Sequence, residues 1–227
     1  MDSLDNPVWH ALTGSQAHLS EGTDLALRYD PEVAVFAGMP DAPGADAWKS
    51  LGTLLGPGGV AGVFQGGTKL VPPADLTLLF ALPGLQMVAT APLGEPDATF
   101  TRLGAEDVPD MLALVERTQP GPFFRRTVEM GTYLGVRDDA GRLVAMSGVR
   151  IQWKGYTEIS AVCTDAEYRN RGLAARLVRA IAFEIEARGD TPMLHVASEN
   201  KNAIALYEKL GFAARTEFDF TIVQVPT

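Results

Sequence analysis

The sequence predicts an α/β fold, and three patterns carry that expectation. Ile159 to Cys163 is short, apolar and partly β-branched, as a buried strand requires; downstream, Leu173, Leu177, Ile181 and Ile185 recur every four residues along one face of a helix. Tyr133 to Arg137 and Arg142 to Gln152 are apolar runs either side of Asp138-Asp139-Ala140-Gly141, an acidic turn ending in glycine that closes an antiparallel hairpin. Met193 to Ala197 gives another strand. It is framed by Gly189 and Pro192, which end the preceding helix, and by a second helix over Asn202 to Leu210 that Gly211 stops.

The remaining elements follow in chain order. Asn6-Pro7 reads as an N-cap and a first helical position, so Val8 to Leu19 is expected to be helical. Leu25 to Tyr29 and Val33 to Ala37 read as strands, Met39 to Gly44 as a loop, and Ala45 to Leu55 as a helix stopped by Gly56-Pro57. Val60 to Phe64 and Leu85 to Thr90 are further strands. Pro72-Pro73 and the run Ala91 to Pro96 interrupt regular structure. The second sets the expected boundary between a smaller α+β N-terminal domain, residues 1–96, and a C-terminal domain, residues 97–227. Beyond it come a short strand at Ala98 to Arg102, a helix at Glu106 to Arg117, a loop at Pro120 to Phe124 and a short helix at Thr127 to Met130. Last is a half-exposed strand in which Phe218, Phe220 and Ile222 alternate with Glu217, Asp219 and Thr221.

Composition narrows the function classes. At 227 residues and 46% hydrophobic the chain can bury a substantial core, and its net charge of −9 argues against a nucleic-acid or anionic-membrane binder. The single cysteine, Cys163, excludes an intrachain disulfide and a multi-cysteine metal site and fits a reducing compartment. The opening Met-Asp-Ser-Leu-Asp-Asn is acidic where a secretory signal is basic. The longest apolar run, Leu76 to Val88, is broken by Pro83-Gly84 and too short for a bilayer. A soluble cytoplasmic protein without a metal is expected. Gly56-Pro57-Gly58-Gly59-Val60-Ala61 has the letters of a dinucleotide fingerprint but follows a helix and opens a strand, the reverse of what that motif needs.

The chemistry centres on the turn between strand and helix at Arg169 to Ala174. Gly172 and Ala174 put small side chains where a helix begins, so the unpaired N–H groups of its first turn stay open to an anion. Arg169 and Arg171 flank them. Such a turn is a local phosphate cradle on an otherwise acidic chain.

Arg169-Asn170-Arg171-Gly172-Leu173-Ala174 resembles the Arg/Gln-x-x-Gly-x-Gly/Ala turn of the GNAT acyltransferase superfamily, and Asn200 with Ala203, Ile204, Leu206, Tyr207 and Gly211-Phe212 resembles its second signature. The likeness covers about residues 98–227 and is similar in detail to the C-terminal domain of glycine N-acyltransferase-like proteins. It implies a GNAT fold, a mixed and mainly antiparallel sheet with flanking helices, and transfer of an acetyl group from acetyl-CoA to a primary amine. The pyrophosphate would lie on the backbone of Asn170, Arg171, Gly172, Leu173, Ala174 and Ala175, with Arg169 beside it. The pantetheine arm would pair with Val162, Cys163 and Thr164 and meet Asn200. Tyr207 would protonate the departing thiolate. The chain departs from the family in its short tail after Gly211, which leaves room for one long strand where two are common; Leu85 to Thr90 is a candidate for the missing partner.

Freeing a lysine-like amine of its proton at pH 7 costs roughly 4–5 kcal/mol, so a proton acceptor is expected. Glu158, eleven residues before Arg169, and His195, five before Asn200, stand where different branches of the family carry one, and both are candidates. Each also has a structural alternative, Glu158 as an exposed strand residue and His195 as a partly buried strand residue. Cys163 reads as a core hydrophobe and not a nucleophile. Phe123, Phe124, Trp153 and Tyr156 fit either an acceptor pocket or ordinary aromatic packing. Two readings outside catalysis stand beside the enzyme: an acyl-CoA-binding sensor, and an interaction protein using the same domain as a scaffold.

Overall fold

A computed structural model describes residues 2–67 and 69–227. In chain order the elements are α1 (Pro7–Leu12), β1 (Ser20–Gly22), β2 (Leu27–Tyr29), β3 (Ala37–Gly38), α2 (Ala45–Leu55), β4 (Val60–Val63), β5 (Thr77–Ala89) and β6 (Thr101–Leu103). There follow α3 (Val108–Thr118), β7 (Tyr133–Arg137), β8 (Leu143–Trp153), β9 (Tyr156–Thr164), α4 (Leu173–Glu186), β10 (Thr191–Ala197), α5 (Lys201–Leu210) and β11 (Phe212–Gln224). The strands form a small sheet, β1-β2-β3, and a large mixed sheet in the order β4-β11-β5-β10-β9-β8-β7-β6. Within the large sheet only β9 and β10 run parallel.

The large sheet runs straight across the boundary expected at residue 96. β5 lies between β10 and β11, pairing Met193 with Val88 on one side and Phe212 with Ala89 on the other. It is the partner missing from the C-terminal tail. The strand is also longer than Leu85 to Thr90, because it starts at Thr77 and passes through Pro83. Proline is accommodated there because β10 pairs only with Gly84 to Val88, leaving Thr77 to Leu82 as a free edge on that side.

Other departures have local causes. The first helix ends at Leu12 instead of Leu19, where the Thr13 hydroxyl bonds back to the Trp9 carbonyl and the chain turns tightly at Gly14. Val33 to Ala37 is mostly irregular, with Phe36 making an isolated bridge to Gly62.

Alternation divides the large sheet into two faces. Leu134, Val149, Ile159, Leu194 and Val196 pack with Leu177, Val178 and Ile181 of α4. The opposite face packs on α3 through Tyr133, Met146 and Cys163, and on the N-terminal segment through Ile151, Trp153 and Met193. The residues of greatest chemical interest lie on that second face.

Candidate active site

β9 and β10 pair from Thr191 and Tyr156 up to Met193 and Glu158, and there the pairing stops. Beyond it the two parallel strands splay, because β9 carries an extra residue in its register with β8, between Ser160 and Cys163, and Ala161 takes φ +52°. The β10-facing edge of Ala161 to Thr164 is therefore left without a strand. An extended polar chain can pair with it.

At the end of that edge stands the turn. Asn170 has φ +62° and Gly172 φ +75°; Arg176 N–H to the Gly172 carbonyl is the first bond of α4, and no side chain caps its start. The N–H groups of Leu173, Ala174 and Ala175 accordingly point outward unpaired. A Cβ at Gly172 would meet nothing within 4 Å, so the space over the turn is open. Arg169 Nε donates to the Thr164 carbonyl at 3.2 Å, and Arg171 donates to the Glu167 carbonyl at 3.0 Å while its guanidinium lies 4.7 Å from the Tyr168 ring centroid. Both arginines are thus pinned beside the cradle. Val162 packs toward α4, Cys163 is buried toward α3, and Thr164 keeps a buried hydroxyl that meets no partner among the described residues. Burial pushes the Cys163 thiol up to about 11, in keeping with a core residue.

Asn200 caps α5, its Oδ1 accepting from Ala203 N–H at 3.1 Å. Tyr207 on that helix is largely buried against Phe212, and burial pushes its phenol up to about 12, so it holds its proton throughout the neutral range.

Glu158 and His195 are brought together, His195 Nδ1 standing 2.9 Å from Glu158 Oε1. Neither is exposed. Arg150 grips the Glu158 carboxylate with Nε at 2.9 Å and Nη2 at 2.6 Å. Burial opposes ionisation of Glu158, but the attraction of Arg150 and the hydrogen bonds from His195 and Arg150 outweigh it and hold the carboxyl at about 2. On the other side of the ring, Gln86 Nε2 lies 3.1 Å from His195 Nε2. The orientation of that amide is fixed, since Nε2 also donates to the Leu4 carbonyl and Oε1 accepts from Arg215, which in turn pairs with Asp2 and Asp5. With Gln86 donating to Nε2 and Glu158 accepting from Nδ1–H, both nitrogens of His195 are engaged.

Sequence reasoning missed Arg150, Gln86 and Arg215. A signal was present for the first: Arg150 is a lone charge in the apolar run Val144 to Ile151. Gln86 is brought in by a strand whose pairing partners lie more than a hundred residues away, and nothing in its neighbourhood advertises it. Of the aromatics, Phe123 meets Tyr133 edge-on at 5.6 Å, and Trp153 stacks on Tyr156 and bonds Ser3.

Among the described residues no cluster of side chains could hold a metal ion, and no helix is long and apolar enough to cross a membrane. Comparison with known proteins agrees with the geometry. The FR47-like protein family model matches residues 133–220. Curated relatives include the [ribosomal protein bS18]-alanine N-acetyltransferases of Salmonella typhimurium, 27% identical over 122 residues, and of Escherichia coli, 28% identical over 123; each match covers 52% of this chain and 82% of the relative. A crystal structure from Novosphingobium aromaticivorans, assigned to the GNAT family of acetyltransferases, is 40% identical, superposes with a TM-score of 0.91, and covers 100% of both chains. With that identity over the full length, the chain belongs to the GNAT family, the N-acetyltransferases that draw their acyl group from coenzyme A.

Proposed function

We propose that this acetyltransferase moves the acetyl group of acetyl-CoA onto an α-amino group, by direct attack of the amine on the thioester. The observation that carries the reading is the open edge of Ala161 to Thr164 running to the uncapped start of α4. The first-turn N–H groups with Arg169 and Arg171 take the pyrophosphate, and Val162 to Thr164 take the pantetheine amides as a strand would. The backbone at the Ala161 bulge polarises the thioester carbonyl. Tyr207 returns a proton to the thiolate.

The preference for an α-amine comes from what the site withholds. Glu158 is ionised, clamped by Arg150 and a weak base, and the Nε2 lone pair of His195 is taken by Gln86. The geometry favours a positional role for both. An acceptor that needs little help suits such a site: an α-amine with pKa near 8 costs about 1 kcal/mol to free at pH 7, against roughly 4–5 for a lysine. The curated relatives, which act on an alanine of a ribosomal protein, support this choice.

Thiol release measured over peptides is the test. Peptides with a free N-terminus and blocked lysines should be turned over, and peptides with a blocked N-terminus and free lysines should not; the reverse pattern would overturn the reading. Glu158→Gln should lower kcat/KM by the same factor at pH 7 and pH 9, because the residue holds the site together and takes no proton; a defect confined to low pH would restore Glu158 as the base.

A second measurement addresses Tyr207. Tyr207→Phe should lower kcat by at most about a hundredfold and leave acetyl-CoA affinity unchanged, since a general acid acts in the transition state and a thiolate is a good leaving group. A protein that binds acetyl-CoA yet releases no thiol with any amine would instead be the sensor.

A further inference from the structure

The side chain of Tyr133 lies flat across β8. A Cβ built on Gly148 would fall 2.2 to 2.5 Å from Cδ1, Cε1 and Cγ of its ring, so Gly148 is the one residue type that admits it. Gly148 pairs with Tyr133 on one side and with Ser160 on the other, and the ring therefore carries its hydroxyl over β8 toward the bulge in β9. There, among the described residues, the Tyr133 hydroxyl is fully buried and meets no hydrogen-bond partner. A buried orphan hydroxyl is costly, and a tyrosine held in place by a glycine across the strand could have been a phenylalanine at no loss of packing.

Its surroundings say what the hydroxyl is for. Tyr133 shares its sheet face with Glu158 and His195, opposite α4, and with Ala161 and Cys163 of the bulged segment. Arg150, Glu158 and Cys163 are all near enough to act on the phenol, with burial the largest cause of its raised pKa. Crossing Gly148 in the direction of Ser160, the ring thus carries the hydroxyl toward the interval between the charged cluster and the bulge where the thioester carbonyl is polarised. That interval is where an attacking nitrogen must lie. Phe123, whose ring meets that of Tyr133 edge-on, is carried on the irregular stretch after α3 in which Gln119 and Gly121 take positive φ.

We propose that Tyr133 is an acceptor-binding residue, its hydroxyl oxygen accepting a hydrogen bond from the N–H of the attacking amine and so aiming the nitrogen lone pair at the thioester. The proposal rests on the amine-acceptor reading above. It requires Phe123 to swing aside as the amine enters, which the loop, not a strand or helix, allows.

The test is Tyr133→Phe, a change the packing tolerates. The variant should melt at or above the temperature of the parent, because an unpartnered group is removed, and should bind acetyl-CoA equally well. On the best peptide from the panel its kcat/KM should fall about three- to tenfold, the effect of one neutral hydrogen bond. A variant that melts lower and turns over peptide like the parent would show that the hydroxyl is structural and overturn the proposal. A parent inert toward every amine fails the acceptor reading itself, and this proposal with it; an active parent matched by Tyr133→Phe fails this proposal alone.

Discussion

Gly172→Glu is expected to abolish acetyl-CoA binding in a protein that still folds. Gly172 takes φ +75°, and the space above it is open, so a longer side chain meets no clash inside the protein. The cost to the fold is the left-handed backbone of a non-glycine residue, about 1–2 kcal/mol. The cost to binding is larger. The carboxylate would stand over the N–H groups of Leu173 to Ala175, where the pyrophosphate must lie, and both repel it and compete for its donors. Calorimetry should find affinity reduced by roughly a hundredfold or more. Gly172→Ala supplies the control, since it carries the same backbone strain without the charge and should bind nearly as tightly as the parent. Unchanged affinity in a folded Gly172→Glu protein would remove the turn from the cofactor site.

Arg150→Met should cause the largest loss of stability of any single change at the site. Glu158 is fully buried, and Arg150 supplies both the bidentate contact and most of the attraction that keeps its carboxyl at about 2. Removing one partner of a buried pair costs about 3–5 kcal/mol, which for a chain of this size is a fall in Tm of roughly 6–20 °C. Arg150 also lies 4.7 Å from the ring centroid of Phe36, so its loss loosens the N-terminal layer as well. The sign with pH follows from the direction of the shift. Glu158 titrates near 2 in the fold against 4.5 unfolded, so the stability it contributes in the parent is complete above about pH 4.5 and fades as pH falls toward 2. In Arg150→Met the defect should be greatest at neutral pH, where an uncompensated carboxylate is buried, and should shrink as acid neutralises Glu158. The double variant Arg150→Met, Glu158→Leu should recover much of the loss. If it melts as low as the single variant, the pair is not the cause.

How much of this was legible from sequence divides along a physical line. The strand, turn and helix around Gly172 and the hairpin before it are local: apolar spacing, a glycine stop and an acidic turn fix them over a few residues. Tyr207 and Asn200 were legible in position through their resemblance to the family's second signature, Tyr207 on α5 and Asn200 at its N-cap. The character of Glu158 and His195 was not. Both were read as candidates for proton transfer, and their engagement depends on Arg150 from a neighbouring strand and on Gln86 from β5. A hydrogen bond between residues 109 positions apart leaves no trace in either neighbourhood. The same limit explains the N-terminal segment. Proline and glycine between residues 91 and 96 marked a real break in regular structure, but a break in local structure is not a break in a sheet. Pairing of β5 with β10 and β11 is set by long-range registry.

The insertion of β5 also sets an order of events during synthesis. The strand is complete at Ala89, yet neither of its neighbours begins before Thr191. At synthesis rates of about 5–20 residues per second, the nascent chain carries this strand for roughly 5–20 s before β10 is made, and longer before β11 follows. In that interval Leu78, Leu79, Phe80 and Leu82, which stay partly exposed even in the finished protein, have no β11 beside them. Late closure of a central strand makes folding slow and leaves a β-prone, uncharged stretch available to other chains. The strand that completes the acetyltransferase sheet is therefore also a hazard on the ribosome, one that early capture by a chaperone would relieve.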